Sequence, residues 1–234
     1  MLKRAVDALR HIFFPPRCAC CMQVLPRGIQ VCADCAAALH RIKRPICPRC
    51  GRSRRHCQCR PSGEAVFYDG CCAPFYYVDA AARGIRQMKF RDRTDSAPFF
   101  ASAMTASFLA LYPRIRPDGI AFVPLTRRRE RERGYNQAAL LAERIAEELG
   151  LPLLDVLVKN RENKIQHDLR FAERLANVRD VYACTADMTG RTVLLVDDIK
   201  TTGATLNACA AALKEAGARR VFCVSAAIVP PKDL

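Results

Sequence analysis

From residue 65 onward, apolar stretches alternate with segments whose apolar residues recur at helical spacing. Five stretches are apolar on both faces, as in strands buried inside a sheet: 66–78, 121–125, 153–158, 192–196 and 220–229. Three segments have the spacing of helices that pack on one face: 97–112, 136–150 and 204–217. Gly150 and Gly217 end the last two of these, as glycine often does after a helix. Strands that alternate with helices predict an α/β fold, a parallel sheet flanked by helices.

The N-terminus predicts a separate short element. In MLKRAVDALRHIFF the apolar residues recur near helical spacing, which indicates an amphipathic helix within residues 1–16. That helix would pack on the body of the protein, with docking on a membrane surface as the alternative. The segment lacks the long apolar centre and cleavage site of a secretory signal, and no apolar run approaches the roughly 18–20 residues of a membrane span. We therefore expect a cytoplasmic protein with no membrane span.

A cysteine-rich segment precedes the α/β region. Of the fourteen cysteines, eleven lie between residues 18 and 72, and eight of these form close pairs. The pairs are Cys18/Cys21, Cys32/Cys35, Cys47/Cys50 and Cys57/Cys59. Three have the C-x-x-C spacing that presents two sulfurs to a tetrahedral Zn²⁺, and the fourth, CQC, is one residue shorter. We predict two structural zinc sites in tandem, a double zinc ribbon, with an interleaved arrangement as the alternative.

Zinc is favoured over disulfide bonds for these pairs. No export signal is visible, and a cytosol keeps thiols reduced. So small a segment cannot bury enough apolar surface to fold unaided, and bound metal would supply the missing stability. Cys20 and His56 adjoin the pairs and are predicted not to be ligands. The remaining cysteines have apolar neighbours and are expected in the core: Cys71, Cys72, Cys184, Cys209 and Cys223.

Positive charge is concentrated in the same part of the chain. Of the formal net charge of +15, +10 falls in residues 1–64. A basic segment attracts phosphate backbones without sequence preference, although zinc-bound thiolates would offset part of the excess. RPSG at 60–63 has the composition of a linker. We therefore divide the chain into an N-terminal helix (1–16), a double zinc ribbon (17–62) and an α/β domain (63–234).

The strand at 192–196 leads into the most informative stretch, DDIKTTGAT. In open parallel sheets, ligands bind where strand ends meet the loops that begin helices. The hydroxyls of Thr201, Thr202 and Thr205 and the backbone N–H groups around a helix N-terminus favour a phosphate, and Gly203 lets it approach closely. Two adjacent acids just upstream suit a sugar diol and Mg²⁺. A strand end that merely caps a helix would explain one acid and one threonine, but not the whole set.

VLLVDDIKTTGAT resembles the phosphoribosyl-pyrophosphate (PRPP) signature of type I phosphoribosyltransferases, and the whole chain is similar to ComF-type competence proteins. The similarity rests on four features in order: the cysteine-rich N-terminus, RERGYNQAALLAERIAEELGLPLL, RENKIQHDLRFAERLANV and the PRPP signature. It implies a type I phosphoribosyltransferase-like sheet behind a small zinc-ribbon domain. CQC in place of a fourth C-x-x-C departs from the family pattern.

The resemblance also implies roles for individual residues around PRPP and its Mg²⁺. Asp197 and Asp198 would contact the ribose hydroxyls as the catalytic acids. The 5-phosphate would be held by Thr201, Thr202, Gly203, Ala204 and Thr205, with Lys200 also in reach of a phosphate. Pro124 and Leu125 would begin the loop that receives pyrophosphate. The neighbouring family motif is Arg133, Gly134, Tyr135, Asn136 and Gln137. A segment placed like the active-site flap contains Arg161, Gln166, Leu169, Arg174 and Asn177.

Five arginines follow the strand at 121–125 within seven residues: Arg127, Arg128, Arg129, Arg131 and Arg133. We interpret them as a loop on the ligand side of the sheet, where they would offset the charge of pyrophosphate or of a phosphodiester backbone. A solvated loop without a ligand is the alternative.

Three roles are compatible with these features. The first is an accessory protein in DNA uptake or utilisation (natural transformation), whose ribbons contact single-stranded DNA or an uptake or helicase-type partner, and whose larger domain binds PRPP or a related sugar phosphate. The second is a working phosphoribosyltransferase for an unidentified acceptor, with pyrophosphate leaving as its Mg²⁺ complex. The third, a purely structural zinc adaptor, predicts no phosphosugar binding.

Overall fold

The computed structural model describes residues 15–57, 59, 65–88, 94–160 and 181–231. Nearly all of the predicted N-terminal helix and the predicted linker at 60–63 lie outside these residues. In the described part of the chain, no helix is long and apolar enough to cross a membrane.

The strands, in chain order, are β1 (Gly70–Cys72), β2 (Phe75–Tyr76), β3 (Gly119–Phe122), β4 (Leu153–Leu154), β5 (Leu157–Lys159), β6 (Tyr182–Cys184), β7 (Thr192–Lys200) and β8 (Arg220–Ile228). The main sheet has the order β1-β8-β7-β3-β4, and β2 pairs with the second half of β8. Every pairing in it is parallel. A separate antiparallel pair consists of β5 and β6. The predicted α/β fold with a parallel sheet is confirmed.

The helices are α1 (Ala33–Ala37), α2 (Asp79–Gln87), α3 (Ala97–Leu111), α4 (Arg127–Arg133), α5 (Gln137–Leu149) and α6 (Ala204–Glu215). One face of the sheet is covered by α3 and α5, and the other face by α6.

The central strand β7 shows why the sheet needs helices on both sides. Leu194 and Val196 belong to the core that contains Phe108 of α3, whereas Leu195 belongs to the core that contains Leu213 of α6. Successive side chains of a strand point to opposite faces, so an apolar run such as TVLLV is stable only when both faces are covered.

Two of the predicted strands are broken in the structure. The stretch 66–78 yields β1 and β2, which are separated at Pro74, a residue without an N–H group for a ladder bond. The stretch 153–158 divides at exposed Asp155 into β4 and β5, which pair in different sheets. Cys184 lies half-buried on β6, whereas the other four cysteines expected in the core are fully buried.

The cysteine-rich unit is hydrogen-bonded directly to the sheet. The N–H of Tyr76 donates to His40 O at 2.8 Å, that of Ile42 to Pro74 O at 3.0 Å, and that of Cys71 to Pro48 O at 3.0 Å. These backbone bonds tie both halves of the unit to the β1/β2 edge.

Candidate functional site: the end of β7 and the two cysteine clusters

The paired acids lie at the carboxyl end of β7. Asp197 is 9% exposed, and its Oδ1 accepts the N–H of Asp198 at 2.9 Å. Asp197 lies two residues after Leu195 and therefore on the same face of β7, the one that α6 covers. Asp198 is half-buried. Two carboxylates therefore stand directly before the threonine loop, as the sequence predicts.

The loop between β7 and α6 is open to solvent. Thr201, Thr202 and Ala204 are exposed, and Thr202 Oγ1 accepts the N–H of Ala204 at 3.3 Å. Gly203 is the N-cap of α6 with φ of 92°, a left-handed conformation that side chains rarely adopt. The loop thus presents hydroxyls and a helix N-terminus to whatever binds there.

Lys200, predicted to be in reach of a phosphate, is buried and bonded to the cysteine-rich unit. Its side chain is 3% exposed, and its Nζ donates to the carbonyl of Cys50 at 2.9 Å. The side chain is therefore directed into the protein, toward the cysteine-rich unit. A Cβ placed on Gly203 would lie 2.9 Å from Lys200 Cε, so the lysine stem forms the floor of the loop.

Two tyrosines that the sequence did not identify border the same loop. Tyr68 Oη lies 3.6 Å from the Cβ position of Gly203, and the Tyr182 hydroxyl is near the Thr205 side chain, which acts to lower the pKa of that phenol. Burial raises the pKa of both tyrosines above its ordinary value. The chain before Tyr68 is held over α6 by Asn207, whose Oδ1 accepts the N–H of Phe67 at 2.7 Å. No local pattern marks these residues, because they reach the loop from distant segments.

The arginine-rich segment after β3 is a helix rather than the predicted loop. Thr126 caps α4, with its Oγ1 accepting the N–H of Arg129 at 3.4 Å, and Gly134 ends it with φ of 85°. A side-chain cap at one end and glycine at the other stabilise a helix of seven residues without an apolar face. Pro124 is buried and Leu125 half-buried between β3 and this helix.

The RGYNQ motif joins the start of α5 to the end of β3. Asn136 is the N-cap of α5, and its Nδ2 donates to Val123 O at 3.0 Å. Arg133 Nη1 donates to Gln137 Oε1 at 2.9 Å, and Tyr135 Oη donates to Met88 O. The motif thus fixes the backbone next to Pro124. The flap-like residues Arg161, Gln166, Leu169, Arg174 and Asn177 lie outside the described residues.

The eight paired cysteines form two compact clusters. The Sγ atoms of Cys18, Cys21, Cys32 and Cys35 all lie within 4.8 Å of one another, as do those of Cys47, Cys50, Cys57 and Cys59. Individual Sγ–Sγ distances are 3.7 Å for Cys21–Cys32, 3.9 Å for Cys47–Cys59 and 3.8 Å for Cys50–Cys57. Zn–S bonds of about 2.3 Å in a tetrahedron place sulfurs about 3.8 Å apart. Both clusters fit zinc, the CQC pair included, and the arrangement is tandem.

Cys18 and Cys20 differ in thiol acidity. Burial opposes ionisation of Cys18, but the N–H groups of Cys32, Cys20 and Cys21 outweigh it and lower the pKa of the thiol to about 6. At Cys20, burial and the adjacent thiolates raise the pKa to about 12. Cys20 lies outside both clusters, as predicted for a non-ligand.

His56 is also outside the clusters. Its Nδ1 lies 3.2 Å from both Ser53 Oγ and Tyr76 Oη.

Comparison with known proteins identifies both parts of the chain. A double zinc ribbon domain matches residues 9–73, and a phosphoribosyl transferase domain matches residues 136–230. Competence protein ComFC of Bacillus subtilis (strain 168) is 29% identical over 80% of this chain and 79% of its own. Competence protein F of Haemophilus influenzae is 28% identical, covering 89% and 95%. DNA utilization protein YhgH of Escherichia coli (strain K12) is 28% identical, covering 88% and 94%.

Relatives named for competence and DNA utilization therefore match this chain over most of its length. The ribbon match includes all eight clustered cysteines, and the phosphoribosyl transferase match runs from Asn136 through β8. It therefore includes the acids and the threonine loop, whereas Pro124, Leu125 and Arg133 precede it. The domain bounds at 17–62 and 63–234 stay predictions, since the ribbon match extends beyond residue 62 to residue 73.

Proposed function

We propose that the β7–α6 edge binds PRPP or a related sugar phosphate together with Mg²⁺. The observation that carries this proposal is the exposed threonine loop, which stands at the N-terminus of a twelve-residue helix and directly after two carboxylates. A helix N-terminus with adjacent hydroxyls attracts a phosphate. Carboxylates accept hydrogen bonds from a sugar diol and are the oxygen ligands that Mg²⁺ prefers. The donor set therefore fits both halves of a phosphorylated pentose.

Calorimetric titration of PRPP in excess Mg²⁺ tests this proposal. The parent protein should bind, and the variant Asp197→Asn, Asp198→Asn should lose at least about tenfold in affinity, since each carboxylate makes a charge-assisted hydrogen bond worth about 1.5–3 kcal/mol. The matched control is Asp34→Asn, Asp95→Asn, which makes the same charge change at two exposed acids outside the site. Equal affinity of the site variant and the parent would refute the placement.

We propose further that the double zinc ribbon contacts single-stranded DNA. A cleft of about 880 Å³ lies between the two ribbons, and its charged lining residues are Arg41, Lys43, Arg44, Arg54 and Arg55, with His40 and His56. Among the described residues no acid lines this cleft; Asp79 approaches its edge through a 2.9 Å bond to His40. Such a surface suits a phosphodiester backbone without sequence preference.

Titration of labelled single-stranded DNA at several salt concentrations tests the contact. Binding should weaken steeply with salt, with a log–log slope that decreases by about 0.7 for each phosphate contact removed. Arg54→Ala, Arg55→Ala should lower both affinity and slope. Arg219→Ala, Arg220→Ala serves as control because these exposed arginines lie at the amino end of β8, outside the cleft lining. No binding by the parent even at low salt would exclude the DNA contact.

The relatives are named for competence and DNA utilization, which supports a role in DNA uptake or use for this chain as well. Uptake or helicase-type proteins are then the expected partners. Zinc-bound thiolates persist where thiols stay reduced, so we assign the protein to the cytoplasm.

The cationic helix α4 favours a second activity, transfer of the phosphoribosyl group. It begins three residues after Pro124, where a pyrophosphate leaving group would need positive charge. An acceptor would attack C1 of the sugar as pyrophosphate departs, with positioning and charge neutralisation providing the catalysis. A screen for pyrophosphate release across nucleobases, amines and single-stranded DNA ends distinguishes a transferase from a protein that only binds PRPP.

A further inference from the structure

One buried lysine contacts both the second zinc ribbon, which carries Cys47, Cys50, Cys57 and Cys59, and the threonine loop between β7 and α6. Lys200 precedes Thr201 directly, and its ammonium group donates to the carbonyl of Cys50, a member of the second cysteine cluster. The distance is 2.9 Å and the side chain is 3% exposed. A buried ammonium group is costly unless it is hydrogen-bonded and near negative charge. Four thiolates around Zn²⁺ carry a formal charge of −2, which such a cation would offset.

The ribbon side of this contact is tightly packed. An added Cβ on Gly51, the residue after Cys50, would lie 2.9 Å from Ile228 Cδ1 and 3.0 Å from Cys71 O. Pro48 O accepts the N–H of Cys71 at 3.0 Å, and Arg52 Nη2 donates to Val229 O at 3.3 Å. The segment that carries Cys47 and Cys50 is therefore pressed onto the ends of β1 and β8.

The loop side is equally close. The stem of Lys200 underlies Gly203, with 2.9 Å between its Cε and the Cβ position of that glycine. The carbonyl of Lys200 accepts the N–H of Val229 at 2.9 Å, the same residue whose carbonyl accepts from Arg52. A shift of the second ribbon would displace Lys200 and with it the floor of the loop.

We propose that Lys200 is a positioning residue that couples zinc binding at the second ribbon to sugar-phosphate binding at the β7–α6 loop. The coupling rests on the proposed function of that loop. Coupling between two binding sites is reciprocal: zinc in the second ribbon strengthens phosphosugar binding, and bound phosphosugar strengthens zinc binding by the same free energy. We expect the tighter zinc binding to appear as slower zinc release. The first ribbon is not expected to take part, because the side chains that donate to Cys20 and Cys35 come from α2 and not from the β7–α6 edge.

Zinc release to a chromogenic chelator, with and without PRPP in excess Mg²⁺, tests the coupling on protein that holds two zinc ions. PRPP should slow the release of one ion about tenfold and leave the other unchanged. Lys200→Met should release that ion about tenfold faster, within the range found for residues that support metal ligands, and should abolish the effect of PRPP. Lys200→Gln gives the same comparison should the methionine variant fail to fold.

Lys214→Met is the matched control. Lys214 lies on α6 and likewise donates to a backbone carbonyl, Arg219 O at 2.8 Å, and it also pairs with Asp69 Oδ2 at 2.9 Å; both partners lie outside the two clusters. It should release both ions at the parental rates. Two results would overturn the coupling and leave the proposed function intact. In the first, PRPP binds the parent but changes the release rate of neither zinc ion. In the second, the Lys200 variants release zinc at the parental rates. A parent that binds no PRPP would overturn both, whatever the zinc phases show.

Discussion

The two zinc ribbons have the same ligands but different supports. The first rests on helix α2: Ala19 O faces Gly84, where an added Cβ would lie 2.6 Å from that oxygen, and Arg83 Nη2 donates to Cys35 Sγ at 3.7 Å. The second rests on strand ends, with Gly51 against β1 and β8. Each support depends on a glycine that leaves no room for a side chain. For the first ribbon this is Gly84 of the larger domain, and for the second ribbon it is Gly51 in the ribbon itself.

The supporting element, a helix surface or the ends of strands, determines whether a zinc ribbon lies near a ligand site. A ribbon on a helix surface can stabilise the assembly without reaching a ligand site. A ribbon on the carboxyl ends of parallel strands stands beside the loops where such sheets bind ligands. Here the second ribbon has that position, and Lys200 joins it to the threonine loop.

The largest effect is expected from removing one ligand of each ribbon. Cys21→Ser and Cys59→Ser each change an exposed ligand and should each reduce the metal content from about two zinc ions to about one, because a structural site needs all four thiolates. Only Cys59→Ser should also weaken PRPP binding, by about tenfold. Metal analysis and calorimetry measure the two results. Equal PRPP affinities of the two variants would contradict the inference that only the second ribbon affects PRPP binding.

The next largest effect is expected from valine substitutions at the two glycines that contact the opposite unit. Gly84→Val and Gly51→Val should each reduce the free energy of unfolding by about 2–3 kcal/mol, since the added side chain meets backbone atoms that cannot move away easily; at Gly51 the φ of 78° adds backbone strain. Chemical denaturation of the zinc-loaded protein measures this. A loss confined to one of the two variants would mean that the other ribbon is not packed as described.

A smaller loss is expected at Tyr112, whose hydroxyl donates to Pro48 O of the second ribbon and lies 3.2 Å from Cys71 O. Tyr112→Phe removes one buried donor and should cost about 1–2 kcal/mol of stability. It should also speed release of the second-ribbon zinc. Tyr135→Phe is the control, because its hydroxyl donates to Met88 O, which follows α2 and is not part of the second ribbon's support. Similar zinc release from both variants would count against the second-ribbon contact.

The smallest effect concerns pH at Tyr182, beside the loop. Burial raises the pKa of this phenol, so the folded protein favours its neutral form. The resulting stabilisation is present below the ordinary tyrosine pKa of about 10 and is lost as the pH rises above it. Tyr182→Phe should leave stability below about pH 9 nearly unchanged and make its alkaline decline shallower. An unchanged alkaline decline would show that Tyr182 ionises freely in the folded state.

Features set by neighbouring residues could be predicted from the sequence. The cysteine spacings place two sulfurs on one turn, which leaves little freedom in how the clusters form. The apolar run TVLLV predicts a doubly buried strand, and a glycine before an alanine-rich helix predicts the open turn at Gly203. Fold, tandem clusters and the position of the threonine loop follow from such local rules.

Features that depend on distant contacts could not be predicted. Lys200 turns toward Cys50, which is 150 positions away in the chain, and no local pattern encodes that partner. Tyr68 and Tyr182 reach the loop from separate segments for the same reason. The helix α4 lacks an apolar face, so hydrophobic periodicity does not reveal it; the flanking Thr126 and Gly134 were the available signal.

Amide hydrogen exchange with and without PRPP and Mg²⁺ is the sharpest test of sugar-phosphate binding at the β7–α6 edge, because it reports where a phosphate contacts backbone N–H groups. We predict slower exchange at residues 200–206 of the parent and no such protection in Asp197→Asn, Asp198→Asn. Binding detected by calorimetry with unchanged exchange at residues 200–206 would contradict it.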